Sequence, residues 1–81
     1  MEFLANSPKL LGVTLKRARQ QKGLSQAEVG EPFGIQQSTI SSIENGAPGT
    51  QLETLYRVLA SLDLELFIRP REHKEMTEDE W

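Results

Sequence analysis

The apolar positions keep helical spacing as far as residue 62 and then change period. Leu11, Leu15 and Ala18 share one helical face. Ser7-Pro8 stands before them as an N-cap followed by a first-position proline. Gly23 ends the run, with Leu24 placed to pack back over the last turn. Ser25-x-x-Glu28 is a capping box opening a second helix, with Val29 and Phe33 expected inward and Gly34 supplying a sharp turn. A third helix runs from about Gln36 to Glu44 with Ile40 and Ile43 buried; Asn45-Gly46 closes it and Ala47-Pro48-Gly49 is a loop. Thr50-x-x-Glu53 reads as a second capping box, opening a fourth helix whose inner face carries Leu52, Leu55, Leu59 and Leu62.

From Leu62 onward, Leu62, Leu64, Leu66 and Ile68 alternate with Asp63, Glu65, Phe67 and Arg69, the two-residue repeat of a strand, and Pro70 stops it. No second segment alternates in this way, and a single strand leaves its backbone groups unpaired. The simplest mate is the same strand of a second copy, antiparallel across a two-fold axis, with Leu64, Leu66 and Ile68 as the pairing strand. The competing arrangement extends the fourth helix through 62–69. The pattern therefore predicts a mainly α protein: a four-helix domain over 1–62, a dimerisation strand over 63–70 and a flexible acidic tail over 71–81.

At 81 residues the chain supports one small core, for which oligomerisation is a natural supplement. It has no cysteine, which excludes disulfides and thiolate metal sites and suits a reducing compartment. No apolar run is long enough to span a membrane, and the N-terminal residues MEFLANSPK do not resemble a signal peptide. The net charge of −3 argues weakly against a nucleic-acid partner. Its distribution changes that picture: residues 1–43 carry five bases and three acids, whereas residues 63–81 carry three bases and seven acids. A basic first half and an acidic end suggest two different partner surfaces.

The third helix is unusual for a surface element. In GIQQSTISSIENG the span Gln36 to Ser42 has amides and hydroxyls and no charge, although Ser and Thr are middling helix formers. A short helix, a glycine turn and a second helix backed by Val29, Phe33, Ile35, Ile40 and Ile43 form a helix-turn-helix, whose second helix enters the DNA major groove. That groove is a wall of donors and acceptors. Glutamine can meet adenine with two hydrogen bonds, and Ser and Thr can meet several base edges.

GLSQAEVGEPFGIQQSTISSIENG resembles the helix-turn-helix of the Xre/Cro group of bacterial and phage repressors, a lambda-repressor-like fold. The resemblance covers about residues 14–62, with Arg19, Gly23-Leu24-Ser25-Gln26, Gly34-Ile35 and Ile43-Glu44-Asn45-Gly46 at the family spacing. It implies that Gln36, Gln37, Ser38, Ser41 and Ser42 face bases. Gln26, Lys16, Asn45 and the Gly46 backbone would hold phosphates, and Arg19 and Glu44 would form a structural ion pair. Two positions depart from the pattern. Gly30 stands where the family usually has Ala, and Pro32 where a basic residue is common. Pro32 is expected to shorten or kink the second helix and to push Glu31 out of the helical region.

The tail, PREHKEMTEDEW, is too charged to fold alone, and its terminal Trp81 is suited to anchoring in a pocket of another protein. A Xre-type domain followed by a strand and an acidic tail ending in Glu-Trp is similar to the HipB antitoxins. That resemblance implies a homodimer on double-stranded operator DNA with an inverted repeat. It also implies a complex with a HipA-like Ser/Thr kinase toxin and repression of the chain's own operon, in the bacterial cytoplasm on the nucleoid. The alternatives are a stand-alone Xre regulator and a protein-interaction adapter that uses the scaffold without DNA. No cofactor or metal is expected, and no catalysis: the lone histidine, His73, stands in the tail without a fixed partner, and there is no Gly-rich phosphate loop.

Overall fold

The computed structural model describes residues 3–72, so Trp81, His73 and most of the acidic tail lie outside the described residues. Four α-helices and one 3-10 turn follow in order: α1 (Pro8–Gln21), α2 (Gln26–Gly30), the 3-10 turn (Glu31–Phe33), α3 (Gln37–Glu44) and α4 (Leu52–Ser61).

The ends of the first two helices follow the sequence signals. Ser7 Oγ accepts the Leu10 N–H at 3.1 Å, with Pro8 at the first helical position of α1. At its other end Gly23 N–H donates to the Gln20 carbonyl at 3.0 Å and Leu24 N–H to the Arg19 carbonyl at 3.1 Å, the paired bonds of a Schellman motif. Leu24 packs against the core from there. The Ser25 box is complete: Ser25 Oγ accepts the Glu28 N–H at 3.1 Å and the Glu28 carboxylate accepts the Ser25 N–H at 2.8 Å. That backbone hydrogen bond, with the one from the hydroxyl side, holds the Glu28 carboxyl below the usual carboxylate range.

The turn between α2 and α3 explains both departures from the family pattern together. Proline has no N–H to extend α2, so the helix gives way after five residues to the 3-10 turn, which closes with Gly34 N–H on the Glu31 carbonyl at 3.1 Å. The shortened second helix expected from Pro32 is therefore present. The expected displacement of Glu31 is not: Glu31 keeps right-handed helical angles, φ −55° and ψ −47°. The clash before proline disfavours that region without forbidding it, and the tight turn holds the residue there. The turn also folds Ile35 back over Gly30, with Ile35 N–H donating to the Gly30 carbonyl at 2.9 Å. A Cβ on Gly30 would lie 2.2 Å from the Ile35 carbonyl oxygen, so alanine does not fit this tighter turn.

The core gathers Leu15 and Ala18 of α1, Val29 of α2, Ile40 and Ile43 of α3, and Val58, Leu59 and Leu62 of α4 and its cap. Ser61 Oγ donates to the Val29 carbonyl at 2.8 Å and ties α4 to α2. α1 crosses the end of α3 at Gly12, where a Cβ would meet the Ile43 carbonyl oxygen at 2.5 Å. No helix among the described residues is long and apolar enough to cross a membrane.

Three expectations fail in detail. Phe33 is 39% exposed rather than inward, because the 3-10 turn rotates it off the α2 face. Leu52 is 54% exposed, while Val58, absent from the expected inner face, is buried. The Thr50 box does not form: the N-cap of α4 is Gln51, without a side-chain cap, and Thr50 Oγ1 donates to the Ala47 carbonyl at 3.4 Å. Thr50 closes the preceding loop instead, and Glu53 pairs along the helix with Arg57 at 2.5 Å.

Beyond α4 the helix does not continue. Asp63 takes the left-handed conformation, φ +57°, with Asp63 N–H on the Ala60 carbonyl at 3.1 Å and Leu64 N–H on the Leu59 carbonyl at 2.8 Å, a second Schellman closure. This overturns the arrangement in which 62–69 prolongs α4. Among the described residues no strand is paired within the single copy. Leu62 is 1% exposed, Leu64 packs partly against the core, Leu66 is 49% exposed and Ile68 92%. The alternating apolar row thus starts on its own domain and ends uncovered.

Candidate nucleic-acid interface

α3 is pinned from behind and left open in front. Ile40 and Ile43 are buried, and Glu44 lies on the same inner side. Gln37, Ser38 and Ser42 are exposed on the outer side, Gln36 is exposed at the N-cap, and Ser41 is half-buried. The row of neutral side chains therefore occupies the open face, as its sequence position suggested.

Glu44 is the one buried charged side chain among the described residues, and it is fully engaged. Arg19 Nε donates to its Oε2 at 2.6 Å and Arg19 Nη2 to its Oε1 at 3.0 Å, a two-pronged ion pair joining α1 to α3. The third nitrogen, Nη1, donates to the Leu24 carbonyl at 2.9 Å and fixes the turn into α2. Burial pushes the Glu44 carboxyl up. The Arg19 and Gln26 hydrogen bonds and the charges of Arg19 and Lys16 outweigh it and hold the group below the usual carboxylate range. The hydrogen bond to Glu44 likewise raises the Arg19 guanidinium above its ordinary value, against burial.

The ion pair continues to the open face through two amides. Gln26 Nε2 donates to Glu44 Oε1 at 3.1 Å, and Gln37 Nε2 donates to Gln26 Oε1 at 3.3 Å. Gln26, expected to hold a phosphate, here sits between the buried ion pair and the first glutamine of α3. Its spacing to Glu44 and Gln37 gave no sequence signal for this bridge, because the three positions meet only when α2 packs on α3. At the other end of α3, Asn45 Nδ2 donates to Ser41 Oγ at 3.5 Å, and the turn passes through Gly46 at φ +85°. The structure thus brings Arg19, Glu44, Gln26 and Gln37 into one connected set. It leaves the side chains of Gln36, Ser38 and Ser42 without a protein hydrogen bond among the described residues, and it puts Asn45 and Gly46 directly after Glu44, at the end of α3 away from Gln37. Lys16 is exposed on α1, within electrostatic reach of Glu44.

Comparison with known proteins agrees with this geometry. A helix-turn-helix family model matches residues 15–68. Two proteins named Antitoxin HipB, from two Escherichia coli strains, are each 42% identical over 60 residues, 74% of this chain; the aligned segment spans 64% of one relative's length and 68% of the other's. A solved HipA-HipB-O2-O3 complex contains a chain that superposes with a TM-score of 0.81 at 35% identity, covering 89% of this chain and all of that one. A HipB-O4 20mer complex matches with the same TM-score, identity and coverage. The match over 15–68, together with 42% identity across most of a relative's length, shows that this chain belongs to the helix-turn-helix family that includes the HipB antitoxins.

Proposed function

We propose that the chain is a dimeric, sequence-specific transcriptional repressor and the antitoxin of a HipA-like Ser/Thr kinase, and that it autoregulates its operon. The observation that carries this is the open face of α3: exposed Gln36, Gln37, Ser38 and Ser42, with Ser41 beside them, backed by buried Ile40 and Ile43. Uncharged amides and alcohols on a rigidly backed helix suit the major groove, where they both donate and accept. Gln26, Lys16, Asn45 and the Gly46 backbone take the flanking phosphates, which set register. The relatives solved as O2-O3 and O4 20mer complexes support this reading of the face, and the complex that contains HipA supports the kinase partner.

Dimerisation follows from the C-terminal row. Ile68 is 92% exposed and Leu66, which its own domain covers only in part, 49%, and a second copy of the same strand covers what remains. The strand lies over 63–70 between the DNA-binding domain and the acidic tail, whose Trp81 we assign to docking on the kinase. The protein so described works in the bacterial cytoplasm on the nucleoid and carries out no chemical step of its own.

Two measurements test this. A gel-shift series on the chain's own promoter should reveal an inverted repeat with half-sites roughly 34–36 Å apart; indifference to the repeat refutes the repressor reading. Deleting residues 76–81 should weaken co-purification with the neighbouring kinase while operator binding persists. If the deletion changes neither, the chain is a stand-alone regulator.

A further inference from the structure

From Gly23 through Tyr56 the chain contains no lysine and no arginine. This stretch includes all of α2, the 3-10 turn, α3 and the start of α4. The unit that faces the duplex therefore brings no cation of its own, although neutralising phosphates supplies most non-specific affinity for DNA. The charge has to come from a neighbouring element.

α1 is that element, and it lies against the right place. Lys9, Gly12, Lys16 and Arg19 are spaced by three, four and three residues and form one stripe on the helix. Three contacts lay the stripe along the C-terminal end of α3. A Cβ on Gly12 would fall 2.5 Å from the Ile43 carbonyl oxygen and 2.6 Å from that of Glu44. Arg19 forks onto the Glu44 carboxylate. A Cβ on Gly46 would fall 2.9 Å from Lys9 Cα and 3.4 Å from Lys9 Cβ, so the Lys9 backbone is pressed against the turn that follows α3. Lys9 and Lys16 are the two exposed cations of the stripe.

The other bases of α1 are placed differently. Arg19 is committed to Glu44 and the Leu24 carbonyl. Arg17 lies over the Phe3 ring, 5.7 Å from its centroid. Lys22 caps the far end of α1. The end of α3 needs cations for a second reason: its last carbonyls carry the negative end of the helix dipole, about half an elementary charge, which repels an approaching phosphate.

Resting on the proposed repressor reading, which already gives Lys16 a phosphate, we infer that Lys9 joins Lys16 in a two-lysine clamp for the phosphodiester backbone beside the Asn45-Gly46 turn. They anchor the C-terminal side of α3 while Gln26 anchors the N-terminal side. Lysine suits this task as a mobile point charge that tolerates any sequence. The influence of Lys16 on the Glu44 carboxyl is consistent with its placement at this end of α3.

The test uses the full chain with Lys9→Gln, Lys16→Gln and the double variant, titrated by fluorescence anisotropy against two duplexes across a potassium chloride series. One duplex carries the inverted repeat of the chain's own promoter and the other a scrambled sequence. Each lysine should flatten the log–log salt slope by about 0.9 per half-site, or about 1.8 on a duplex holding both half-sites. Affinity should fall on both duplexes while their ratio holds. A double variant whose slope equals that of the unaltered chain overturns the clamp, and a lowered melting temperature accompanying that unchanged slope would identify the lysines as stabilisers of α3 only. If the unaltered chain shows no salt-sensitive duplex binding at all, the repressor reading falls and the clamp with it.

Discussion

Arg19 and Glu44, 25 residues apart in sequence, meet through two hydrogen bonds of 2.6 and 3.0 Å with side chains only 12% and 5% exposed. The pair joins α1 to α3 at the point where α3 must be held still. Removing one partner leaves the other charge buried and alone, which costs about 3–5 kcal/mol. Arg19→Ala is expected to lower the melting temperature sharply. Arg19→Lys should recover only part of the loss, since an ammonium cannot make the fork or reach Leu24 as well. Thermal melts followed by circular dichroism decide this, and a melting temperature for Arg19→Ala equal to that of the unaltered chain refutes the pair's structural role.

The same carboxylate makes stability depend on pH. Glu44 is held below its ordinary value of 4.5 in the folded chain. Its contribution is therefore complete above that ordinary value and is lost as pH falls through the depressed one. Glu28, also depressed, acts with the same sign. Urea midpoints should therefore start to fall once pH drops below the ordinary value of 4.5 and keep falling as both carboxylates take up protons. Glu44→Gln should be less stable at neutral pH and show a shallower decline on acidification. An equal decline in both proteins would assign the acid sensitivity elsewhere.

Gly30 and Pro32 act as a matched pair. Pro32 tightens the end of α2 into a 3-10 turn, and the tightened turn brings the Ile35 carbonyl to 2.2 Å from where a Gly30 Cβ would sit. Gly30→Ala, a substitution towards the family pattern, should therefore destabilise by about 1–3 kcal/mol, the usual cost of overpacking. A stability equal to or above that of the unaltered chain, measured by urea unfolding, would show that the turn relaxes without cost.

The sequence carried the helices because their ends are written in local chemistry. Ser7, Gly23 and the Ser25–Glu28 box act over three or four residues, and all appear where their spacing places them. Thr50 misled because α4 starts one residue later than the box requires: Gln51 is the N-cap, and the Thr50 hydroxyl donates to the loop carbonyl of Ala47. Phe33 and Leu52 misled because apolar character alone does not fix a direction, and the 3-10 turn rotates Phe33 outward. On α3 the buried and open faces were legible from Ile40 and Ile43. The Glu44–Gln26–Gln37 chain was not, because it depends on how α2 lies across α3.

The uncovered end of the apolar row makes the dimer testable. Ile68 is 92% exposed in one copy. Burying an isoleucine contributes about 1.5–3 kcal/mol, and two-fold symmetry repeats the gain. Ile68→Lys places a charge on the strand edge twice over, a change that blocks edge pairing. It should raise the dimer dissociation constant by about a hundredfold or more. Sedimentation equilibrium measures this directly. The helical content by circular dichroism should stay unchanged, because Ile68 contributes nothing to the core of its own domain. A variant that remains dimeric at the same concentration would move the interface away from residues 63–70.

Gln26 and Gln37 divide the proposed interface into a positioning role and a reading role, and the two are coupled. Gln37 donates to Gln26, which donates to Glu44, so the orientation of the Gln37 amide is set from the buried ion pair outward. Gln37→Ala should lose about 1–3 kcal/mol of discrimination at one base pair. Gln26→Ala should weaken binding to every duplex through the lost phosphate contact and also relax discrimination at the same base pair, because Gln37 is no longer held. The double variant should then lose less discrimination than the two single losses together, a coupling detectable in a double-mutant cycle. Anisotropy titrations with the operator and with single-base variants provide the four corners of that cycle. Strictly additive losses would mean that Gln37 finds its orientation from the DNA alone and that the bridge through Gln26 plays no part in recognition.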